Sequence, residues 1–224
     1  NKTLEFHLTR DIIKINPIEA KVLDKGIGYL KISEFNENTV VNLKSVLDYF
    51  KASGVVGIVL DLRNNPGGFL DQAIDVASFF VPPGPVVNLV SQDGTAQTFS
   101  SKSEPYPFEL SVLVNGGSAS ASEILAGAIK DRGAGIIVGE QTFGKATVQS
   151  TLNLGSLGGI KLTVAHYTTP NGSDINRVGI TPDFVVKAPE KDPTKDFSPI
   201  PGNRDLKYGN AGLDVLGVQE RLKL

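Results

Sequence analysis

The sequence predicts an α/β protein, and three observations predict it. Residues 55–62 are a nearly continuous apolar run, the pattern of a strand covered on both faces. Arg63-Asn64-Asn65-Pro66-Gly67-Gly68 closes that run, and a helical pattern follows from Phe69 to about Phe80. Residues 110–114 then repeat the layout. Asn115-Gly116-Gly117 closes this second run, Ile124, Leu125, Ala128 and Ile129 fall at helical spacing, and Gly133 suits a helix stop. Finally, residues 148–154 and 160–167 alternate apolar and polar side chains across a glycine-rich loop, as a half-exposed strand pair does.

The remaining elements follow in order. Residues 4–8 and 12–15 read as short strands separated by Thr9-Arg10-Asp11, and Pro17 punctuates. Residues 20–23 and 27–32 read as a strand pair around Asp24-Lys25-Gly26. Asn38 or Thr39 caps a helix through about residue 52, with Val40, Leu43, Leu47 and Phe50 on one face and Gly54 at its end. Pro82-Pro83-Gly84-Pro85 forms a stiff turn, and residues 86–90 and 96–99 form a hairpin across Asp93-Gly94. Residues 100–107 are a polar loop, 135–138 a strand and 184–186 a last strand. Residues 188–204, rich in Pro, Asp and Lys, read as a surface run, and Leu213, Leu216, Val218 and Leu222 suggest a short helix.

Composition narrows the chemistry. A chain of 224 residues suits one large domain, or one domain with appendages. A net charge of −2 points to no nucleic-acid and no anionic-membrane partner. No apolar run approaches the roughly 20 residues that cross a bilayer. Cysteine is absent, which excludes a thiol nucleophile, a disulfide or a zinc-thiolate site and fits an extracytoplasmic protein. With two histidines, His7 and His166, and no His-x-x-x-His spacing, neither a metal nor another cofactor is expected. The chain opens on Asn1 rather than Met, and is expected to be a processed piece of a longer protein.

Ser118, Ser120 and Ser122 alternate with Ala119 and Ala121 at the head of the helix that follows residues 110–114. A serine there sits near the positive end of the helix dipole among unpaired backbone N–H groups, a place suited to an oxyanion. Gly144-Lys145 lies on a loop beyond the next strand, which can return a lysine to the same spot. The plainer readings are a small-residue helix start capped by Ser118, a solvated Lys145 and an ordinary turn at Gly67-Gly68. His166 and an Asp61–Arg63 pair read as structural, and Glu123 as a favourable charge at a helix start.

G-S-A-S-A-S-E-I at residues 117–124 and T-F-G-K-A-T-V-Q at 142–149 resemble the core of the carboxyl-terminal processing peptidases, the tail-specific proteases of family S41. D-L-R-N-N-P-G-G at 61–68 and G-I-T-P-D at 179–183 extend the resemblance. It implies that Ser120 is the nucleophile, that Lys145, 25 positions later, is the general base, and that Gln149, four beyond, orients the lysine. Gly67 or Gly68, with Ala121, would supply the oxyanion hole. A lysine becomes a base only without its proton, which apolar surroundings favour; Phe143 offers such surface, and Gln149 aims the amine without adding charge.

The resemblance also implies layered ββα units like those of the crotonase and ClpP-like folds, with a small β appendage at the N-terminus. Residues 1–16 would be the exit strands of a PDZ domain or a linker, 17–187 the Ser/Lys peptidase core, and 188–224 a C-terminal extension packed on the core. The implied activity is a serine endopeptidase that cuts polypeptides at or near flexible C-terminal tails through an acyl-enzyme. The implied setting is extracytoplasmic: bacterial periplasm, cell-wall side or thylakoid lumen. A regulatory or adaptor protein and self-association into a homo-oligomer belong to the same picture. The alternative reading is a non-catalytic module for apolar ligands, resembling the repeats of the interphotoreceptor retinoid-binding protein. A thioester hydrolase is a third, with no coenzyme A signature in its support.

Overall fold

Parallel strands cannot be joined by tight turns, so each apolar run followed by a helix commits the chain to a crossover. A computed structural model describes residues 16–187 and shows this outcome. The expectations for residues 1–15 and 188–224, including His7, the N-terminal β appendage and the C-terminal helix, lie outside the described residues.

β1 (Ile18–Leu23) and β2 (Ile27–Ile32) form an antiparallel hairpin around a 3₁₀ turn at Asp24–Gly26. α1 (Thr39–Ala52) crosses over to β3 (Gly57–Asp61), and α2 (Leu70–Ala77) follows. β4 (Gly84–Ser91) and β5 (Ala96–Ser101) are the expected hairpin. β6 (Glu109–Val114), α3 (Ala121–Asp131) and β7 (Ile136–Gly139) repeat the strand–turn–helix unit. β8 (Thr147–Asn153) and β9 (Gly159–Thr168) pair antiparallel, and β10 (Phe184–Val185) closes the described chain.

Two sheets result. One has the order β1-β2-β3-β6-β7-β10 and is parallel from β2 onward; the other has the order β5-β4-β9-β8 and is antiparallel. The core lies where Leu30, Leu60, Val112 and Ile137 meet Leu43, Leu47 and Phe50 of α1, Ala73 and Val76 of α2, and Leu125 and Ile129 of α3. Each of these side chains removes apolar surface from water at roughly 25 cal/mol per Å².

Two expectations need correction. The 55–62 run is not sealed on both faces: Ile58 and Leu60 are buried against the helices, while Val59 is half-buried and Val56, just before β3, is exposed. The second helix ends at Ala77, not near Phe80, because the chain tightens into turn bonds from Phe79 to Val76 and Phe80 to Ala77 ahead of Pro82-Pro83.

The register matters most for function. Asp61 at the end of β3 lies beside Leu113 near the end of β6. The two glycine turns therefore leave adjacent parallel strands at the same edge, the position where open α/β sheets place their ligands.

Candidate active site

Asn65 joins the two turns. Its side-chain amide donates to Ile32 O at 2.8 Å, and its carbonyl accepts the Ala119 N–H and the Ser122 hydroxyl, both at 3.0 Å. Ser118 donates its hydroxyl to Leu62 O at 2.8 Å and accepts the Asn115 N–H at 3.0 Å. Ser118 and Ser122 are fully buried, and both hydroxyls are spent holding one turn to the other. Ser120 differs. It is half-buried, and its hydroxyl donates to no partner among the described residues. Its backbone sits at φ 56, ψ −114, outside the regions an L-residue prefers, at a cost of about 1–3 kcal/mol. This turn presents the middle serine outward at the head of α3.

Gly67 approaches that serine closely. A Cβ at Gly67 would lie 2.8 Å from Ser120 Cβ and 2.9 Å from Ala121 N, and its φ of 103 is glycine territory. The Gly67 N–H donates to Asn65 Oδ1 at 2.9 Å. The N–H groups of Gly68 and Ala121 make no hydrogen bond among the described residues. Sequence alone left Gly67 and Gly68 as equal candidates; of the two, the Gly67 N–H is already bonded.

Lys145 returns on the loop after β7. Phe143 N–H donates to Ser118 O at 3.0 Å, and Gly144 (φ 86) packs its α-carbon against the backbone of Arg177 and Val178. Lys145 is half-buried, and its amine makes neither an ion pair nor a hydrogen bond among the described residues. Ser120, Lys145, Gly68, Ala121 and Gln149 all line one cavity of about 230 Å³, with Phe69, Leu70, Ile124, Thr147, Val148, Lys161 and Tyr167. Gln149 stands beside a bulge between Val148 and Gln149 on β8, and its amide does not reach Lys145 in this structure. Phe143 does not cover Lys145: it is 64% exposed, because the loop turns its side chain to solvent. The apolar lining comes from Ile124, Leu70 and Val148 instead. His166 lies on the face of β9 opposite Tyr167, away from the cavity.

Sequence reasoning missed two residues. Glu123 is wholly buried, and its carboxylate accepts hydrogen bonds from Ser120 N, Gly144 N, Lys145 N and the Thr142 hydroxyl. Tyr167 donates its phenol to the carbonyls of Ser120 and Lys145. Burial first, then the Glu123 charge, pushes the Tyr167 phenol well up, so it stays a neutral donor. The Ser-x-x-Glu spacing of a capping box was the available signal for Glu123, and the alternating phase of 160–167 the signal for Tyr167. Asp61 and Arg63 do pair structurally, at 2.6 Å and 2.9 Å, with the Tyr29 hydroxyl donating to the same carboxylate at 2.8 Å.

The family model for peptidase family S41 matches residues 26–186. The chain belongs to peptidase family S41. Among its S41 relatives it is similar to the carboxyl-terminal-processing protease of Synechocystis, at 41% identity over 217 residues, covering 95% of this chain and 50% of that protein. It is also similar to the carboxy-terminal processing protease CtpB of Bacillus subtilis, at 36% identity, covering 99% of this chain and 47% of that one. The solved photosystem II D1 C-terminal processing protease superposes with a TM-score of 0.71 at 36% identity, over 80% of this chain and 50% of that chain. The chain spans about half the length of the curated relatives it matches.

Proposed function

We propose that this chain carries the peptidase core, residues 17–187, of a serine endopeptidase that processes C-terminal tails. One observation carries the reading: a strained Ser120, whose hydroxyl donates to no partner among the described residues, opens into the same cavity as Lys145 and Gln149, beside two unspent backbone donors. Lys145 takes the Ser120 proton as Oγ attacks the peptide carbonyl. The N–H groups of Gly68 and Ala121 hold the oxyanion, while Gly67 keeps the hole open by lacking a Cβ. Lys145 then protonates the leaving amine, and water hydrolyses the ester of Ser120. Gln149 aims the lysine once substrate closes the site.

A cavity of about 230 Å³ with Leu70, Ile124 and Val148 in its lining suits apolar side chains on flexible tails. The relatives include a chloroplast C-terminal processing peptidase of Tetradesmus obliquus, which supports an extracytoplasmic setting. In this reading the sheets stack as the ββα layers of crotonase and ClpP-like proteins. Ser120, Lys145 and Gln149 around one cavity favour catalysis over the apolar-ligand module. Cleavage of unfolded casein by the wild type and by Ser120→Ala tests the reading. Cleavage lost only in the variant is expected; cleavage that survives Ser120→Ala would refute it.

A further inference from the structure

Two buried side chains hold the backbone of Ser120 to the backbone of Lys145. Glu123 Oε2 accepts Ser120 N–H and Lys145 N–H, both at 2.9 Å. Its Oε1 accepts Gly144 N–H at 2.7 Å and the Thr142 hydroxyl at 2.6 Å. On the other side of the same two residues, the Tyr167 hydroxyl donates to Ser120 O at 3.1 Å and to Lys145 O. Each of the two residues thus has its N–H taken by Glu123 and its carbonyl by Tyr167. The two come from unconnected elements, Glu123 from α3 and Tyr167 from β9.

The chemistry of the bonds fixes the species. Thr142 Oγ1 already accepts Ile180 N–H at 2.6 Å, so its own proton points at Glu123. Four donors then converge on two oxygens, which a carboxylate can satisfy and a carboxamide cannot. Among the described residues Glu123 has no lysine or arginine within ion-pair distance. It is a buried anion stabilised by peptide and hydroxyl donors, and all four of those donors sit on the Lys145 loop or on Ser120. Charge-assisted bonds of this kind are roughly twice as strong as neutral ones. A plain helix cap needs one or two bonds at its own terminus; here most of the bonds leave the helix and restrain another loop.

The geometry points to Glu123 and Tyr167 as a two-sided clamp that sets the position of Lys145 relative to Ser120. Both are positioning residues, since neither needs to touch substrate, and the inference rests on the Ser/Lys reading above. The clamp's purpose follows from the strained turn and the free amine: no side-chain bond joins Ser120 to Lys145 among the described residues, so their separation depends on their backbones.

The test measures the rate at which a fluorophosphonate labels Ser120. In that reaction Oγ bonds phosphorus, fluoride leaves and the base takes the proton. Glu123→Gln keeps the volume but turns an NH₂ toward at least two of the donors, and is expected to slow labelling by about 10²-fold, the cost of a displacement near 1 Å. Tyr167→Phe removes only the hydroxyl, and should slow it less. A structural role would also lower rates in unfolding-prone variants, so the deciding measurement is a double-mutant cycle. If Glu123 acts through the base, Glu123→Gln in a Lys145→Ala background changes labelling by no more than about twofold. Losses that multiply would overturn the clamp. Amide hydrogen exchange gives an independent reading: Ser120, Gly144 and Lys145 should all lose protection in Glu123→Gln, and unchanged protection would overturn it too. Wild-type chain that is labelled no faster than Ser120→Ala would instead remove the Ser/Lys reading itself, whatever the exchange data show.

Discussion

The two strand–turn–helix units have the same plan and opposite duties. β3 runs into Gly67-Gly68 and α2; β6 runs into Ser120 and α3. The first turn spends glycine to bring bare backbone near the second, and Phe69 at the head of α2 has no side-chain cap. The second turn puts a non-glycine residue at positive φ and surrounds it with Glu123, Tyr167, Ser118, Ser122 and Asn65. α3 is also buried along almost its whole length, whereas α2 buries one stripe. The difference teaches where strain can be kept. A residue stays in a costly conformation only where its surroundings over-determine it, and the Ser120 turn is bonded from three sides, by Glu123, Tyr167 and Asn65.

Removing the chemistry while keeping that support should have the largest effect. Ser120→Ala and Lys145→Ala are each expected to cut peptidase turnover on the order of 10⁴-fold or more, with the thermal midpoint shifted by a few degrees at most in a melting experiment. Next comes the other turn. Gly67→Ala meets both an unsuitable φ and contacts under 3 Å, so it should destabilise by about 1–3 kcal/mol and lower turnover by roughly 10²–10³-fold. Gly94→Ala is its control: φ is 85 but nothing lies within 4 Å, so only about 1 kcal/mol of stability should go, with turnover unchanged. Equal activity losses in the two variants would break the comparison.

Ser118→Ala sharpens it further. It orphans the Asn115 N–H and leaves the Leu62 carbonyl only its Asn65 N–H donor, and should cost about 1–3 kcal/mol in denaturant unfolding while Ser120 is still labelled by a fluorophosphonate. The smallest effect sits below the first turn. Burial alone would raise the Asp61 carboxyl, but hydrogen bonds from Arg63 and Tyr29 outweigh it and hold the carboxyl below its usual range. A folded-state value below the unfolded one contributes stability at neutral pH that is lost as pH falls through the folded value. Wild type should therefore lose more stability than Asp61→Asn between about pH 6 and pH 3, by roughly 1 kcal/mol, in urea titrations at both pH values.

The fold was legible because punctuation in this chain is strong. Gly26, Gly54, Gly94 and Gly133 lie within two residues of an element end, and β2 and α1 fall on the expected residues. Where apolar residues ran past a boundary, as at 78–80, the pattern could not show that turn bonds would replace helix bonds ahead of Pro82. In the site, spacing to Lys145 singled out Ser120 from Ser118 and Ser122; that both of these are tied to Leu62 or Asn65, more than 50 positions away, no local pattern could show. Glu123 read as a dipole charge because its other partners lie 19 to 22 positions on. Tyr167 belongs to a second sheet, and nothing local links it to the serine.

The conformation of Ser120 has a consequence for how such a chain would change if peptide cutting were no longer demanded of it. Glycine would relax position 120 at once, whereas a change at Ser118 or Ser122 would unpick the junction between two strands. Copies of this chain that drift without selection for activity should therefore lose the nucleophile first and keep its two serine neighbours longest, so that the order of decay among duplicated copies would record which hydroxyl was under strain.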